Sequence, residues 1–450
     1  MKALMIILLH SLLNIAFGLA VLSILKKREI TVLRIVQAFV IGIFVESTIG
    51  FLFLYFEVQE YWSLVLLSVV GIAYLIYSYF VRGQLRFTVN FKTEIRLHFL
   101  EWGLVVLIIQ KVVSSIYSLL AMPLYFDDAM THWNGRARAI FGNANWSVFS
   151  NDFHFLGQRL GYKEYPFLSP IWRANTAHLN GSWNDIISRG DGLIFFIILL
   201  LAVYQAVKLL KAPRWVGLSA VFVIASMPLQ FVHSVSGYSE ITIQALSVMA
   251  LICLLRKEWI VFGLTLGAMI FTKNEGLLLY FPLFLLLSCV TIFLEPRTLS
   301  AKLKSVALVL LSSLALVVPW LSFKLSAGVP FSTPIKEENY YHTDAFGWMI
   351  KTMFSSASSS IFWIFFFVML LIGLPKIIKS WQLALIASLV LLLLAALFYI
   401  FCFTGANVFL MNQMTIHRSL LQVAPLAIIL VAGLMTMNPT QDKSETNVEI

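Results

Sequence analysis

Apolar windows of about 20 residues, the length of helix that crosses the hydrocarbon core of a bilayer, follow one another along nearly the whole chain. They lie near 4–25, 31–56, 61–80, 99–120, 191–210, 215–232, 240–255, 259–272, 276–294, 305–323, 346–374, 381–403 and 418–436. In hydrocarbon every backbone N–H and C=O must be satisfied within the protein, so a chain of this pattern has few options besides a helix bundle. With 60% hydrophobic residues and 12% charged ones, it lacks the charge that a water-facing surface requires. The expected fold is an all-α polytopic membrane protein with about 13 spans.

Cationic residues set the expected orientation. Lys26, Lys27, Arg28 and Arg34 come first, then Arg82, Arg86, Lys92 and Arg96, then Lys208, Lys211 and Arg214. Arg256 and Lys257, then Arg297, Lys302 and Lys304, then Lys376 and Lys379 continue the series on alternate connections. The positive-inside rule places that side in the cytoplasm and the long connection 121–189 outside, with the tail 438–450 inside. The net charge of +10 is then mostly topology, with some attraction to lipid headgroups, and nucleic acid is not an expected partner. Only Lys2 precedes the first apolar stretch and no small-residue cleavage site leads to Lys26-Lys27-Arg28, so that stretch reads as a retained helix. Cys253, Cys289 and Cys402 fall in or at the ends of spans, where they serve as small apolar side chains.

The outer connection is where the chain turns to chemistry. It opens on Asp127-Asp128-Ala129-Met130-Thr131-His132-Trp133-Asn134-Gly135-Arg136-Ala137. At 100° per residue, a helix from Asp128 gathers Met130, Trp133, Ala137, Ile140 and Phe141 on one side and turns Asp128 and His132 the other way. That pattern suits an amphipathic helix in the membrane interface, with Arg136 and Arg138 reaching lipid phosphates; a helix re-entering to pack on the bundle is the plainer alternative. Tyr165-Pro166-Phe167-Leu168-Ser169-Pro170 reads as a rigid turn over the membrane surface, because two prolines interrupt helix. Trp146, Tyr162, Tyr165, Trp172 and Trp183 suit interfacial anchoring or stacking on sugar rings.

Three further polar elements interrupt spans on the same side: Gly237-Tyr238-Ser239-Glu240, Lys273-Asn274-Glu275-Gly276 and Thr415-Ile416-His417-Arg418. Each alone reads equally as a helix end facing its dipole. Four charged clusters on one leaflet point instead to a shared polar site, since ionisable groups at membrane depth face a cavity or one another.

Taken together these residues resemble bacterial members of the GT-C class of membrane glycosyltransferases, the group of mannosyltransferases and aminoarabinose transferases that use polyprenyl-linked sugars. Asp128-Ala129, Trp133-Asn134 and Arg136-Ala137 are similar to that family's first-loop motif, with Arg136 where the family has Lys. Tyr165-Pro166 with Pro170, Tyr238-Ser239-Glu240, Asn274-Glu275-Gly276, and Arg418-Ser419-Leu420-Leu421-Gln422 with Pro425 are similar to later motifs, in order, over about 120–430. The resemblance implies a GT-C-like core at 99–437 whose large extracytoplasmic loop carries catalysis. It leaves 1–98 as an N-terminal addition or a variation on the family plan, because the family core begins at the helix leading into that loop.

What the resemblance implies chemically is inverting transfer of a sugar from a polyprenyl phosphate donor to a glycan, lipid or protein acceptor, at the outer face of the inner membrane. One carboxylate takes the acceptor's proton and cations hold the departing phosphate. Asp128 aligns with the family's catalytic Asp, and Asp127 is its rival. Trp133, Asn134, Arg136, Arg138, Tyr165, Glu240, Lys273, Asn274, Glu275 and Arg418 are the expected substrate-binding residues. No cofactor is expected. No His/Asp/Glu set has recognisable ligand spacing, although His132, Asp152, His154 and Glu240 could meet in space, which leaves a divalent cation as an open alternative. The competing function is a transporter or flippase of lipid-linked substrates, in which the same charges would line a path; a ligase for preassembled lipid-linked glycans is a third.

Overall fold

The computed structural model describes residues 2–25, 31–80, 97–143, 154–155, 158–159, 164–331, 343–355, 360–411 and 415–436. Those residues are helical almost throughout. In order they form α1 (Lys2–Ile24), α2 (Val32–Tyr55), α3 (Tyr61–Phe80), α4 (Phe99–Ala121), a π-helical turn (Ala129–Asn134), α5 (Gly135–Asn143), α6 (Leu168–Asn180), α7 (Asp185–Ser188), α8 (Gly190–Leu209), α9 (Arg214–Ser226), α10 (Pro228–Val235), α11 (Glu240–Leu255) and α12 (Trp259–Ile270). A second π-helical turn (Gly276–Tyr280) leads into α13 (Phe281–Leu294), followed by α14 (Leu299–Leu314), α15 (Val318–Ser326), α16 (Thr343–Ser355), α17 (Ser360–Ile372), α18 (Leu374–Lys379), α19 (Trp381–Phe403), α20 (Asn407–Met411) and α21 (Ile416–Thr436). The one strand pairing among the described residues is a two-residue antiparallel ladder, β1 (His154–Phe155) with β2 (Gln158–Arg159).

Eight helices are long and apolar enough to cross a membrane, or ten if each of two bent pairs is one span. The expected spans 215–232 and 305–323 are the bent pairs: α9 and α10 meet at 70°, α14 and α15 at 62°. Pro228 begins α10 and Pro319 lies in the first turn of α15, where a missing N–H is harmless; continued into the preceding helix, each ring would clash with its last turn. α11 and α12 have 16 and 12 residues, about 24 and 18 Å at 1.5 Å per residue, short of the roughly 30 Å hydrocarbon core. The end of α11 and the start of α12 carry Arg256, Lys257 and Glu258.

Packing runs across residue 98. α2 contacts α1, α3, α6, α8 and α12 and sits inside the bundle, with Phe39 edge-on to Phe195 at 5.5 Å and Phe51 edge-on to Phe271 at 6.0 Å. α1 and α2 cross with backbones almost touching: a Cβ at Gly18 would meet the Ala38 carbonyl oxygen at 1.9 Å, and one at Gly42 the Asn14 oxygen at 2.1 Å. Small residues at a helix crossing allow this approach in lipid.

The charged ends on the basic side pair with one another. Gln37 donates to Glu258 at 2.7 Å, Arg256 to Glu258 at 2.9 Å, Arg297 meets Glu295 at 3.0 Å and Arg214 meets Glu101 at 3.3 Å. These lie at the opposite ends of α2, α4, α11 and α12 from the segment after α4.

That segment differs from its expected form. The turn Ala129–Asn134 and α5 bury Trp133, Arg136, Ala137, Ala139 and Ile140 against α6, so the helix packs on protein and leaves Arg138 exposed. Arg136 is 1% exposed and reaches no lipid phosphate. Nor is Tyr165–Pro170 a surface turn. Pro166 precedes α6 and Pro170 sits in its first turn, where helix tolerates proline, and every residue from Leu168 to Ala177 is buried. Leu168 N–H donates to the Phe271 carbonyl at 3.0 Å and Gly181 ends the helix in the left-handed region at φ 76°. Trp172 is fully buried and stacks on His10 at 4.6 Å, so it is no interfacial anchor. The side chains of Trp146, Asp152, His154 and Tyr162, the residues Lys26, Lys27, Arg28, Arg82, Arg86, Lys92 and Arg96, and the tail 438–450 lie outside what is described.

Candidate functional site

Five charged side chains from four separated segments meet above the short helices. Asp128 stands just before the π-helical turn, Glu240 at the first turn of α11, Lys273 and Glu275 between α12 and the second π-helical turn, and Arg418 in the first turn of α21. Arg418 donates from Nη1 to Asp128 Oδ2 at 2.7 Å, and its Nε lies 3.5 Å from Glu240 Oε1. Lys273 Nζ donates to the same Glu240 oxygen at 3.2 Å and to Glu275 Oε1 at 2.7 Å. Burial opposes the Lys273 charge, but Glu240 and Glu275 outweigh it and hold the ammonium above its ordinary range.

The cluster is graded in depth. Glu240 is 1% and Lys273 8% exposed at the side chain, Arg418 20%, Glu275 34% and Asp128 36%. A buried carboxylate therefore anchors two cations, while two accessible carboxylates cover them. Three negative charges face two positive ones, so an arriving anion competes with Asp128 and Glu275 for the cations.

Three expected site residues, Asn134, Arg136 and Arg138, sit outside the charged cluster. Asn134 is buried, donates to Ser188 Oγ at 3.0 Å and accepts from Arg173 Nη1 at 2.6 Å; Arg173 in turn pairs with Asp191 at 2.8 Å. This chain fixes the π-helical turn to α6 and α8. Arg136 donates to the Tyr165 carbonyl at 2.9 Å with its guanidinium 4.3 Å from the Phe167 ring centre, and burial, opposed by Glu164, brings it down to about 10. Together with Lys324, which donates to the Glu164 carbonyl at 2.7 Å, it fastens the segment that leads into α6.

Trp133 is buried edge-on to Tyr165 at 5.4 Å, and Tyr165 also faces the His132 ring at 5.2 Å, which puts both aromatics next to the cluster. Asp127 is exposed beside Asp128, its carbonyl accepting from Thr131 at 2.9 Å. Asn274 is 6% exposed, with neither carboxamide atom hydrogen-bonded among the described residues. Arg138, exposed on the far side of α5, is not brought into the cluster.

Three residues join the site that the motif reading did not assign to it. His233 Nδ1 is 3.8 Å from Glu240 Oε2, and the Tyr238 ring lies under the Arg418 guanidinium at 4.9 Å. Burial, reinforced by Asp128, pushes the Tyr238 phenol up to about 12, so it stays protonated. His132 Nε2 stands 3.8 Å from Asp128 Oδ1, and burial, opposed by Asp128, brings its imidazole down to about 4, so it is neutral near pH 7. The signal for His233 was legible: Gln230, His233 and Ser234 share one helical face of an otherwise apolar segment ending at Gly237. Among the described residues no three His, Cys, Asp or Glu side chains gather as a metal-ligand set.

An apolar groove of about 150 Å³ runs between α9, α17 and α21, lined by Val216, Ala220, Val223, Phe365, Ile428 and Val431. Phe362 lines both this groove and a smaller recess that includes His417, the neighbour of Arg418. The groove lies along the half of α21 away from Arg418. Chemically, the cluster offers an accessible carboxylate for a proton and two held cations for an anion.

Comparison with family models, with curated protein sequences and with solved structures gives no match.

Proposed function

We propose that this protein is a membrane glycosyltransferase of the GT-C kind, moving a sugar from a polyprenyl phosphate donor onto an extracytoplasmic glycan, lipid or protein acceptor with inversion. The observation that carries the reading is Asp128: one oxygen is held by Arg418, the other faces neutral His132, and the carboxylate is a third exposed at the mouth of a buried cation cluster. Asp128 is the general base. As the acceptor hydroxyl oxygen attacks the anomeric carbon, its proton passes to the carboxylate, and the bond from that carbon to the phosphate oxygen breaks with its electron pair leaving on phosphate.

Arg418 and Lys273 stabilise the phosphate as charge develops on it. Glu275, accessible and paired among the described residues only with Lys273, is the carboxylate that moves aside for the anion, while Glu240 stays and positions both cations. Tyr165 and Trp133 supply aromatic surface beside the sugar, and Asn274 supplies a carboxamide for hydroxyl groups. The apolar groove along α21 suits the isoprenoid chain. We place the protein in the inner membrane with the site outside, a reading supported by the described basic residues Arg214, Arg256, Lys257 and Arg297 at the opposite end of the bundle.

The test is purified protein with a radiolabelled polyprenyl phosphate sugar and a panel of envelope acceptors. A new glycosidic bond with inverted configuration supports the proposal. Movement of the intact lipid across vesicles without bond formation refutes it and indicates a flippase.

A further inference from the structure

Away from the charged cluster, a second polar network lies inside the apolar bundle. Glu46, in α2 and fully buried, faces three donors: His10 Nε2 at 2.9 Å, Asn14 Nδ2 at 2.8 Å, both from α1, and Asn175 Nδ2 from α6. Asn175 also reaches Ser63 of α3 at 3.1 Å. His10 is itself fully buried, with Nδ1 2.7 Å from Thr176 Oγ1.

Proton counting constrains this pair. The Thr176 hydroxyl has one hydrogen and uses it on the Trp172 carbonyl at 2.6 Å, so toward His10 it only accepts. Nδ1 therefore donates. Nε2 faces both Glu46 oxygens at 2.9 and 3.0 Å, and one further proton lies between ring and carboxyl, on Nε2 in an ion pair or on the carboxyl in a neutral pair. Asn14 and Asn175 take the remaining Glu46 lone pairs, the condition under which an ion pair is tolerated in a low dielectric. The ring stacks on Trp172 at 4.6 Å and 5°, where an imidazolium would gain a cation–π contact.

The pair sits where it governs the site. Trp172, Asn175 and Thr176 occupy the face of α6 turned to α1, α2 and α3. Arg173, on the other side of the same helix, holds Asn134 and Asp191. α6 is thus a wedge, pinned on one side by the N-terminal helices and on the other gripping the π-helical turn that follows Asp128. A charge-assisted bond is stronger and more directional than a neutral one, so it fixes the rotation of a short helix.

We propose that α1–α3 form a positioning unit for the site, and that the His10–Glu46 ion pair is the positioning element, acting through Asn175, Arg173 and Asn134 on the Asp128 segment. The proposal rests on the reading of Asp128 as the reacting group only for its functional meaning; its test uses no activity, so its failure is distinguishable from failure of that reading.

The test has two measurements in detergent or nanodiscs. Nitrogen NMR of selectively labelled histidine, with His10 assigned by its loss in His10→Gln, reads the ring directly at neutral pH. Both nitrogens protonated is the expected result, and a neutral tautomer overturns the proposal. Amide exchange then compares the parent with Glu46→Gln. Exchange in 129–134 and 168–180 should rise about tenfold or more, while α19 and α21 stay as they were. No change in 129–134, or an equal rise throughout the bundle, overturns it. Should Glu46→Gln not accumulate, His10→Gln with Glu46→Gln, which leaves no lone buried charge, is measured against the same two outcomes.

Discussion

Glu240→Gln is the change that most sharply tests how the charged cluster is held. The carboxylate is 1% exposed and stands 3.2 Å from Lys273, 3.5 Å from Arg418 and 3.8 Å from His233. At an effective dielectric constant near 20, each cation at that range contributes about 5 kcal/mol of gross attraction. Most of this offsets the cost of taking the charges out of water, and breaking such a pair leaves a net loss of about 3–5 kcal/mol. Glutamine also presents an NH₂ group to cations that need an acceptor.

Glu275→Gln is the internal control. Its side chain is 34% exposed and, among the described residues, pairs only with Lys273, so its loss should fall in the range of partly exposed pairs, about 1 kcal/mol or less. The assay is the apparent thermal midpoint of each purified variant in one detergent. Glu240→Gln should melt several degrees below the parent and Glu275→Gln close to it. Adding Lys273→Met to Glu240→Gln should return part of the loss, because the uncompensated cation is gone. Equal midpoints for Glu240→Gln and Glu275→Gln would refute the argument that a buried carboxylate organises the cations.

Asp128→Asn should lower sugar transfer by about 10²- to 10⁴-fold with an unchanged melting midpoint, and Asp127→Asn should cost far less; turnover of a lipid-linked sugar decides between them. A reporter fused near Asn143 should behave as extracytoplasmic and one after Lys443 as cytoplasmic, and the reverse pattern would sink the orientation. Because burial brings His132 down to about 4 from an ordinary 6.5, the unfolded chain binds a proton between those values that the folded chain does not. His132 therefore lets stability rise with pH across that window and stay flat above it, and His132→Gln should flatten its share of the slope in melts from pH 4 to 7. Ala220→Phe, which fills the groove, should raise KM for a long-chain donor more than for a short-chain one; equal effects would place the chain elsewhere.

The membrane class was legible because it rests on a requirement with no exceptions in hydrocarbon, that backbone groups be bonded within the protein. Proline positions limited the span reading. A hydropathy window cannot distinguish a straight span from α9 and α10, since Pro228 leaves the composition of 215–232 untouched while turning its axis by 70°. The outer connection failed for a related reason. Periodicity assigns faces, and the Ala129–Asn143 stretch does carry Trp133 and Ala137 inward, but it does not say whether the covering surface is lipid or protein. Here α6 covers Arg136 and α1 covers Trp172 of α6, so both are buried where a surface reading had them exposed.

The charges that came together, Asp128, Glu240, Lys273, Glu275 and Arg418, share a property visible in sequence. Each interrupts or opens an apolar run where hydration is scarce, so an unpartnered charge would be costly and a partner must be found in three dimensions. The same argument applied to His10 and Glu46 identifies them as readily, because both stand inside apolar runs. Neither belongs to a motif, and a reading led by motifs passes over them. In this chain the cost of a lone charge in hydrocarbon selects both groups, the one proposed to face substrate and the one proposed to hold α6 behind it.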